Sequence, residues 1–223
     1  MRNLYRNNSR KLRLSTPQNN IPILIICAVC WVVSYSHSIG YPVYGEVSAT
    51  PLWNSFCKIL PGKGVTYIIG FLLMIGGAFL LHRANYILEK IQKKTLLPFT
   101  FYILFISTNP DFFPLKSTTL GVFCLILAMY ELFISYHDEN AVGKAYNAAL
   151  LIGIGSLLWV NLLWFIPLFW IGMYNFRSLS PRTLAASIIG AGTVYWFLLG
   201  WCVWQNDYSM FTIPFASLFK MRI

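Results

Sequence analysis

The sequence predicts an all-α fold: a polytopic helical membrane protein with about seven spans, including a short helical hairpin, plus an interfacial amphipathic helix. Six spans are the alternative. Hydrophobic residues make up 57% of the 223 residues and charged residues only 11%, whereas typical proteins are about 25% charged. Apolar runs recur at close to the ~20 residues that a helix needs to cross a bilayer. The basic residues cluster at the edges of these runs, as orientation charges do.

The positive charge of the chain raises the question of nucleic acid. There are 17 Lys and Arg against 7 Asp and Glu, a formal net charge of +10. A nucleic-acid-binding surface would place basic residues together on one face, and no such stripe with interleaved aromatics occurs outside the membrane-flanking segments. We therefore expect no nucleic-acid partner. Cations at membrane edges contact anionic lipids, so membrane lipids are the expected partners.

Residues 1–20 are expected to form a basic cytoplasmic tail, because they contain no acid and carry Arg2, Arg6, Arg10, Lys11 and Arg13. The apolar run from Ile21 to about Ile39 then forms the first span, retained as a signal anchor. A cleaved signal peptide is the alternative. From this point, residues 21–204 are expected to form a single transmembrane helical domain.

Two membrane-associated segments flank the second span. Residues 40–64 are rich in Gly, Pro and aromatics, and we expect them to lie on the membrane surface with Trp53 and Phe56 at the interface. Val65–Leu81 forms the second span. In residues 82–95, apolar side chains recur at helical spacing among basic ones, which predicts the interfacial amphipathic helix on the cytoplasmic side.

The third and fourth spans differ in length. Leu96–Ser107 is short, which predicts a thin or tilted span, whereas Thr118–Ile134 is a full one. Glu131 lies near the cytoplasmic end of the fourth span. An acid inside a membrane segment is a functional candidate, but this one is within a turn of the interface and can reach water. We therefore expect Glu131 to be structural.

The run from 147 to 174, NAALLIGIGSLLWVNLLWFIPLFWIGMY, is too long for one straight crossing. As one helix it would measure about 42 Å, against a hydrocarbon core of about 30 Å. Asn161 and Pro167 lie near its centre, which predicts a break or a tight hairpin. The positive-inside rule does not decide between six and seven spans. Leu184–Trp204 forms the last span, and the tail 205–223 is expected to lie along the interface.

The cysteines and histidines predict no metal site. Cys27 and Cys30 form a C-x-x-C inside an apolar run, without the second ligand pair that a structural zinc site needs. The three histidines fall in three different loop regions: His37, His82 and His137. No P-loop, dinucleotide fingerprint or hydrolase motif is present, so we expect neither a metal nor another cofactor.

From about Leu96 to Trp204, the order of features resembles an uncharacterised family of small polytopic inner-membrane proteins of Bacteroidota. The resemblance lies in a short span, the outer turn NPDFFPLKS, a span ending in a polar loop, and GIGSLLWVNLLWFIPLFWIGMYNFRS before a final span. It implies a multi-pass protein of the bacterial inner membrane, with no known activity. It also favours a hairpin turning near Trp159 to Asn161.

The same order is similar to part of a second group, the multi-spanning glycosyltransferases that use polyprenyl-phosphate sugars. That resemblance implies Glu46 of the first outer loop as general base and Asp111 of the second outer loop as second acid. It implies a cationic site for the departing phosphate at Lys58, Lys63 or Lys116, and a cavity wall at Asn161. The chain departs from the group, because Glu46 stands alone and a soluble domain is lacking.

Three function hypotheses follow. The first is a non-catalytic subunit or scaffold of a cell-envelope or lipid-linked glycan pathway, with a membrane protein or a polyprenyl-phosphate-linked sugar as partner. The alternative is a reduced polyprenyl-phosphate-dependent glycosyltransferase that uses Glu46 and Asp111. The third, a small transporter, is less favoured because internal repeats and charges at mid-membrane are not found.

Overall fold

A computed structural model describes residues 21–37, 50–59, 62–88, 97–109, 112–136, 138 and 141–206. Within these ranges the chain folds into α-helices and short 3-10 segments, with no β-strand, which confirms the predicted all-α class. The elements are α1 Ile21–His37, α2 Pro51–Ile59, α3 Lys63–Leu88, α4 Leu97–Ser107, α5 Ser117–Ile134, α6 Val142–Leu158, the 3-10 helix Val160–Trp164, α7 Phe165–Asn175 and α8 Pro181–Gln205.

Three of these helices are long and apolar enough to cross a membrane: Gly64–Asn85 within α3, all of α5, and all of α8. Large apolar side chains are exposed on their outer faces, as Phe79 and Trp196 show. A water-soluble helix would place polar residues there. The other apolar helices are shorter, and they are Ile25–Ser36, Pro98–Ser107, Val142–Leu158 and Val160–Asn175.

Aromatic side chains join α1 to α3. The Trp31 ring lies 5.0 Å from the Phe71 ring and 4.4 Å from the Phe113 ring. One turn further along α1, the Tyr35 ring lies 5.3 Å from that of Tyr67. Because the contacts move backward along α3 as they move forward along α1, the two helices run in opposite directions.

Helix α4 carries the chain back along α3, so that α5 runs parallel to α3. The His82 ring at one end of α3 lies 6.5 Å from Phe99 at the start of α4. At the other end of α3, the Leu115 amide donates to the Thr66 carbonyl at 3.2 Å, just before α5 begins. The end of α3 therefore lies beside the start of α4 at one end of the bundle, and the start of α3 lies beside the start of α5 at the other end.

Helix α6 runs antiparallel to α5. The Lys144 ammonium lies 3.4 Å from Glu131 Oε2 at one end of the pair. At the other end the Trp159 ring packs on Gly121, where a Cβ would lie 2.9 Å from a ring carbon. Glycine is required at that position because any side chain would displace the Trp159 ring.

Helix α8 runs parallel to α6 and contacts it closely along its length. Near the start of α6, Gly190 packs on the Tyr146 backbone, and a Cβ there would lie 2.5 Å from the Tyr146 carbonyl oxygen. Further along, the Tyr195 hydroxyl lies 2.6 Å from Ser156 Oγ. Small residues at helix contacts of this kind let two backbones approach closely in membrane proteins.

The central run doubles back, which confirms the predicted hairpin. Helix α6 ends at Leu158, Trp159 is extended, and the 3-10 helix leads into α7. Leu162, Ile152 and Phe169 share one buried cluster, so α7 returns beside α6. Pro167 lies in the first turn of α7, where its missing N–H leaves no hydrogen bond unmade. The break therefore falls at Trp159–Trp164 and not at the proline.

Both ends of the central run lie at the same end of the bundle. After α7, the Phe176 ring lies 5.3 Å from that of Tyr136, which follows α5, and Ser178 Oγ lies 3.5 Å from Ser135 Oγ. We call this the far end, defined by Ser135 and Ser178. We call the opposite end, defined by Trp159–Trp164, the hairpin end.

Two expectations for residues 40–95 differ from the structure. Residues 82–88 continue α3 and do not begin a separate interfacial helix, because no Gly or Pro interrupts the helix and Ala84 packs against the bundle. Residues 89–96 lie outside the described residues. In the predicted surface segment, residues 51–59 form α2, and Trp53 is only 2% exposed, packed among apolar side chains of the bundle.

Candidate functional site

Helix α2 closes the hairpin end. Thr50 lies at its N-cap, since its Oγ1 accepts from the Trp53 amide at 3.3 Å, an interaction typical of helix starts. The same hydroxyl donates to the Leu157 carbonyl at the end of α6. Below α2, the buried side chains of Trp53, Cys57 and Leu115 form one cluster. The cluster therefore ties α2 to the segment that enters α5.

The residues implied by the glycosyltransferase resemblance are only partly described. Glu46, Asp111 and the side chain of Lys63 lie outside the described residues. Lys58 is exposed in the last turn of α2, and Lys116, next to the buried Leu115, is half-buried at the N-cap of α5.

Asn161 is exposed in the 3-10 helix. The structure thus brings Lys58, Lys116 and Asn161 to the hairpin end. The pairing of two carboxylates there stays a prediction.

A groove with a volume of about 490 Å³ lies between α6 and α8 and reaches Leu52 and Leu157 at the hairpin end. Ligand pockets in proteins commonly span about 300–1,000 Å³. We call it the α6–α8 groove. Its lining is almost entirely apolar and consists of Leu52, Tyr146, Leu150, Ile154, Leu157, Thr193, Val194, Phe197, Leu198 and Trp201.

Two contacts between hydroxyl groups join α6 to α8, the helices on either side of the α6–α8 groove. Thr193 Oγ1 donates to the Gly190 carbonyl at 2.8 Å, so its single proton is used. The Tyr146 hydroxyl, 3.5 Å away, is therefore the donor in their mutual contact. By the same reasoning Ser156, which donates to the Gly153 carbonyl at 2.6 Å, accepts from Tyr195.

In these two hydrogen bonds the donating tyrosine is on different helices: Tyr146 is on α6 and Tyr195 is on α8. Hydrogen bonds between membrane helices average roughly 0.6 kcal/mol and reach about 1.7 kcal/mol. With the close backbone contact at Gly190, they hold the groove at a set width. The same contacts therefore join the two helices that form the walls of the groove.

A second groove lies between α1 and α3, with a volume of about 430 Å³. It is lined by Ala28, Trp31, Val32, Tyr35, Gly64, Tyr67, Ile68, Phe71 and Leu72. The contact between the Tyr35 and Tyr67 rings lies at its hairpin end. The two grooves lie on different helix pairs, and neither is lined by Lys58, Lys116 or Asn161.

At the far end, Glu131 pairs with Lys144 across α5 and α6. The side chains are 20% and 40% exposed, respectively. Glu131 Oε2 is shielded from solvent and makes no hydrogen bond within the described residues, so charge attraction to the ammonium is what holds it. The structure thus gives Glu131 a partner on the neighbouring helix, which sequence reasoning did not identify.

The described residues hold no group of three or more His, Cys, Asp or Glu side chains that could hold a metal ion. The five cysteines form no disulfide. Of the three histidines only the side chain of His82 is described, and it packs against Phe99 at the far end.

Comparison with protein-family models, curated proteins and solved structures finds no match for this chain. The two family resemblances therefore stay predictions. The α6–α8 groove and the charges at the two bundle ends are the features from which a function can be argued.

Proposed function

We propose that the protein is a non-catalytic, multi-pass subunit or scaffold of the bacterial inner membrane, acting in a cell-envelope or lipid-linked glycan pathway. In this proposal the α6–α8 groove holds the hydrocarbon chain of a lipid-linked intermediate, such as a polyprenyl-phosphate-linked sugar. The observation that carries it is the apolar lining of this groove, combined with side walls that are held at a set width.

The orientation follows from charge. The far end carries Arg83, Lys144, Arg177 and Arg182, while the hairpin end carries the exposed Lys58, the half-buried Lys116 and Lys63 at the start of α3. Cytoplasmic ends of membrane helices are enriched in Lys and Arg. The far end therefore faces the cytoplasm together with the basic residues 1–20, and the hairpin end faces outward.

The dimensions of the groove suit one chain. Tyr146 and Leu157 mark its extent along α6, which is about 16 Å at 1.5 Å per residue, close to half of a hydrocarbon core of about 30 Å. Lipid tails are as apolar as the groove, so burying a hydrocarbon chain in the groove gives little driving force for binding. Shape therefore selects the chain, and the expected role is positioning an intermediate and not extracting it from the bilayer.

A photo-crosslinking experiment tests this role. The probes are a polyprenyl phosphate and a phosphatidylcholine, each with a diazirine in the chain, incorporated with the protein into nanodiscs. Ile154, 42% exposed in the groove wall, is changed to Trp to fill the groove. Ile189→Trp is the matched control, because Ile189 is 59% exposed on α8 and lies outside the groove lining.

We expect the polyprenyl probe to label α6 and α8 peptides of the wild type and of Ile189→Trp, and to label Ile154→Trp several-fold less. Equal labelling of all three proteins would contradict occupation of the groove. Equal labelling of the wild type by both probes would contradict selection of a lipid-linked intermediate.

The glycosyltransferase alternative is favoured by one observation, the presence of Lys58 and Lys116 at the same bundle end. In that alternative Glu46 acts as general base and Asp111 as second acid. Glu46→Gln and Asp111→Asn in cells, with expression verified, test it. Loss of a specific envelope glycan in both variants would favour the enzyme, and an unchanged glycan profile would favour the scaffold.

A further inference from the structure

Helix α7 ends in a conformation that its sequence does not favour. Arg177 has a φ of +55°, and the following Ser178 amide donates to the Met173 carbonyl at 3.0 Å. The Arg177 amide donates to the Tyr174 carbonyl at 3.1 Å. These are the two hydrogen bonds of a Schellman motif, whose left-handed position is usually glycine because it carries no Cβ.

Only two non-glycine residues of the described chain have positive φ, Arg177 and Asn206. Asn tolerates the left-handed region because its short side chain can hydrogen-bond locally, and Arg does not share that property. Backbone strain of this kind persists where the surroundings fix it, and it concentrates at functional sites. The ending of a helix alone therefore does not explain why arginine, and not glycine, occupies position 177.

The surroundings of Arg177 hold it in place. Ser178 is buried, and its carbonyl accepts from Thr183 Oγ1 at 3.1 Å. Ser180 and Thr183 form a reciprocal capping box at the start of α8. On the other side, the Phe176 ring packs against Tyr136 after α5. The backbone of Arg177 is thus held between the two helices it connects and the end of α5.

The Arg177 side chain borders a depression of about 470 Å³ at the far end, with Tyr174, Asn175 and Leu179 as the other lining residues. The lining contains no carboxylate. Within the described residues Arg177 forms no ion pair, and Glu131 at the same end is already paired with Lys144. Tyr174 is 72% exposed at the end of an otherwise apolar helix, the position that tyrosine prefers at a membrane interface.

We propose that Arg177, Tyr174 and Asn175 bind the phosphate of an anionic phospholipid headgroup at the far end. A guanidinium group can donate two parallel hydrogen bonds to a phosphate, and the phenol and amide add neutral donors. Leu179 and the exposed Ile171 one turn before Tyr174 give the acyl chains an apolar surface beside the headgroup. This site is separate from the α6–α8 groove and does not rest on the proposed function.

The experiment uses the full-length protein in nanodiscs of phosphatidylcholine with an equal part of phosphatidylglycerol. Native mass spectrometry counts the phosphatidylglycerol molecules that remain bound after release from the disc. Three variants are compared with the wild type: Arg177→Gly, Arg177→Gln and Arg182→Gln. Arg177→Gln keeps the backbone strain and removes the charge, while Arg182 is an exposed arginine of the same segment in an ordinary helical conformation.

We expect about tenfold less retained phosphatidylglycerol in both Arg177 variants, the change typical of losing a charge-assisted hydrogen-bonding partner. Arg182→Gln should stay within about twofold of the wild type, since a single exposed cation contributes less. Retention in Arg177→Gln or Arg177→Gly equal to that of the wild type would overturn the site.

A second arm distinguishes the source of the phosphate. Millimolar inorganic phosphate is added to the wild type before measurement. We expect phosphatidylglycerol retention to be unchanged, because the acyl chains contribute to the contact. If inorganic phosphate displaces the lipid as well as removal of Arg177 does, the assignment to a lipid headgroup is wrong.

Discussion

The contact between α6 and α8 at Gly190 can be tested with a single methyl group. A Cβ at position 190 would lie 2.5 Å from the Tyr146 carbonyl oxygen and 3.3 Å from the Leu150 amide nitrogen. Both atoms belong to the backbone, so the two helices would have to separate. At Gly192, on the same helix, none of the described atoms lies within 4 Å of the corresponding position.

Gly190→Ala and Gly192→Ala should therefore share the gain in helix propensity, but only Gly190→Ala should be overpacked. Both should gain up to about 1 kcal/mol, because alanine is the better helix former. Only Gly190→Ala adds the cost of overpacking, which is about 1–3 kcal/mol and should lie near the upper end here, since backbone cannot rotate away. The difference between the two variants isolates the overpacking cost and should be about 2–3 kcal/mol.

The assay is reversible unfolding of the purified protein in mixed micelles, titrated with SDS and followed by circular dichroism. Gly192→Ala should be equal to or more stable than the wild type, and Gly190→Ala should be less stable than either. Equal stability of the two variants would refute the close α6–α8 contact, and with it the set width of the α6–α8 groove.

Three further predictions use the same assay. Tyr195→Phe removes the hydrogen bond to Ser156, so the free energy of unfolding should fall by about 0.6–1.7 kcal/mol; an unchanged value would mean that the bond is absent. Glu131→Gln and Lys144→Met, alone and combined, should show a coupling of about 0.2–1 kcal/mol that decreases with salt, because both groups are partly exposed; additive effects would contradict the pair. Arg177→Gly should raise the free energy of unfolding by about 1 kcal/mol, because relief of a left-handed cost of roughly 1–2 kcal/mol outweighs the chain entropy of glycine, about 0.5–1 kcal/mol. A loss of stability in that variant would show that its backbone is not strained.

The helices themselves could be predicted closely from hydropathy. The predicted span Thr118–Ile134 and the observed α5, Ser117–Ile134, differ by one residue. A length argument predicted a break or hairpin within residues 147–174, because an apolar run that exceeds the bilayer thickness must turn. Its position near Trp159 to Asn161 was suggested by the family resemblance. Charge was less informative: the basic residues after Leu81 predicted a new interfacial helix, but charge does not end a helix, and α3 continues to Leu88.

Partners in space were harder to predict than elements. Glu131 is the fourth residue from the end of α5 and Lys144 is the third residue of α6, and two antiparallel helices joined by a short loop place such residues close together. Their similar distances from the loop were the signal that could have identified the pair. The parallel contact of α6 with α8, by contrast, could not be predicted. Lipid tails are as apolar as a neighbouring helix, so the pattern of apolar residues does not tell which face of a helix packs against another helix and which faces lipid.

The candidate site was predicted in part. Alternation of spans predicted that Lys58, Lys116 and Asn161 lie on one side of the membrane, and each lies near a helix end at the hairpin end. Their part in a functional site stays a prediction. The α6–α8 groove was not predicted, because its lining residues look like any other lipid-facing side chains in the sequence. The left-handed conformation of Arg177 was also missed, since arginine gives no signal for positive φ.

The α6–α8 groove, the proposed outward orientation of the hairpin end and the proposed Arg177 site all depend on the doubling back of the central run. Cysteine labelling tests that feature most directly. Asn161, Asn175 and Asn206 are exposed, and they lie respectively in the 3-10 helix, at the end of α7 and at the C-cap of α8. Each is changed to Cys in a background without the native cysteines, and intact cells are treated with a membrane-impermeant maleimide.

We expect Asn161→Cys and Asn206→Cys to be labelled in intact cells once the outer membrane is made permeable to the reagent, and Asn175→Cys only after lysis. Labelling of Asn175→Cys in intact cells, with Asn206→Cys labelled only after lysis, would show that the central run crosses once. That result would contradict the doubled-back arrangement of α6, α7 and α8.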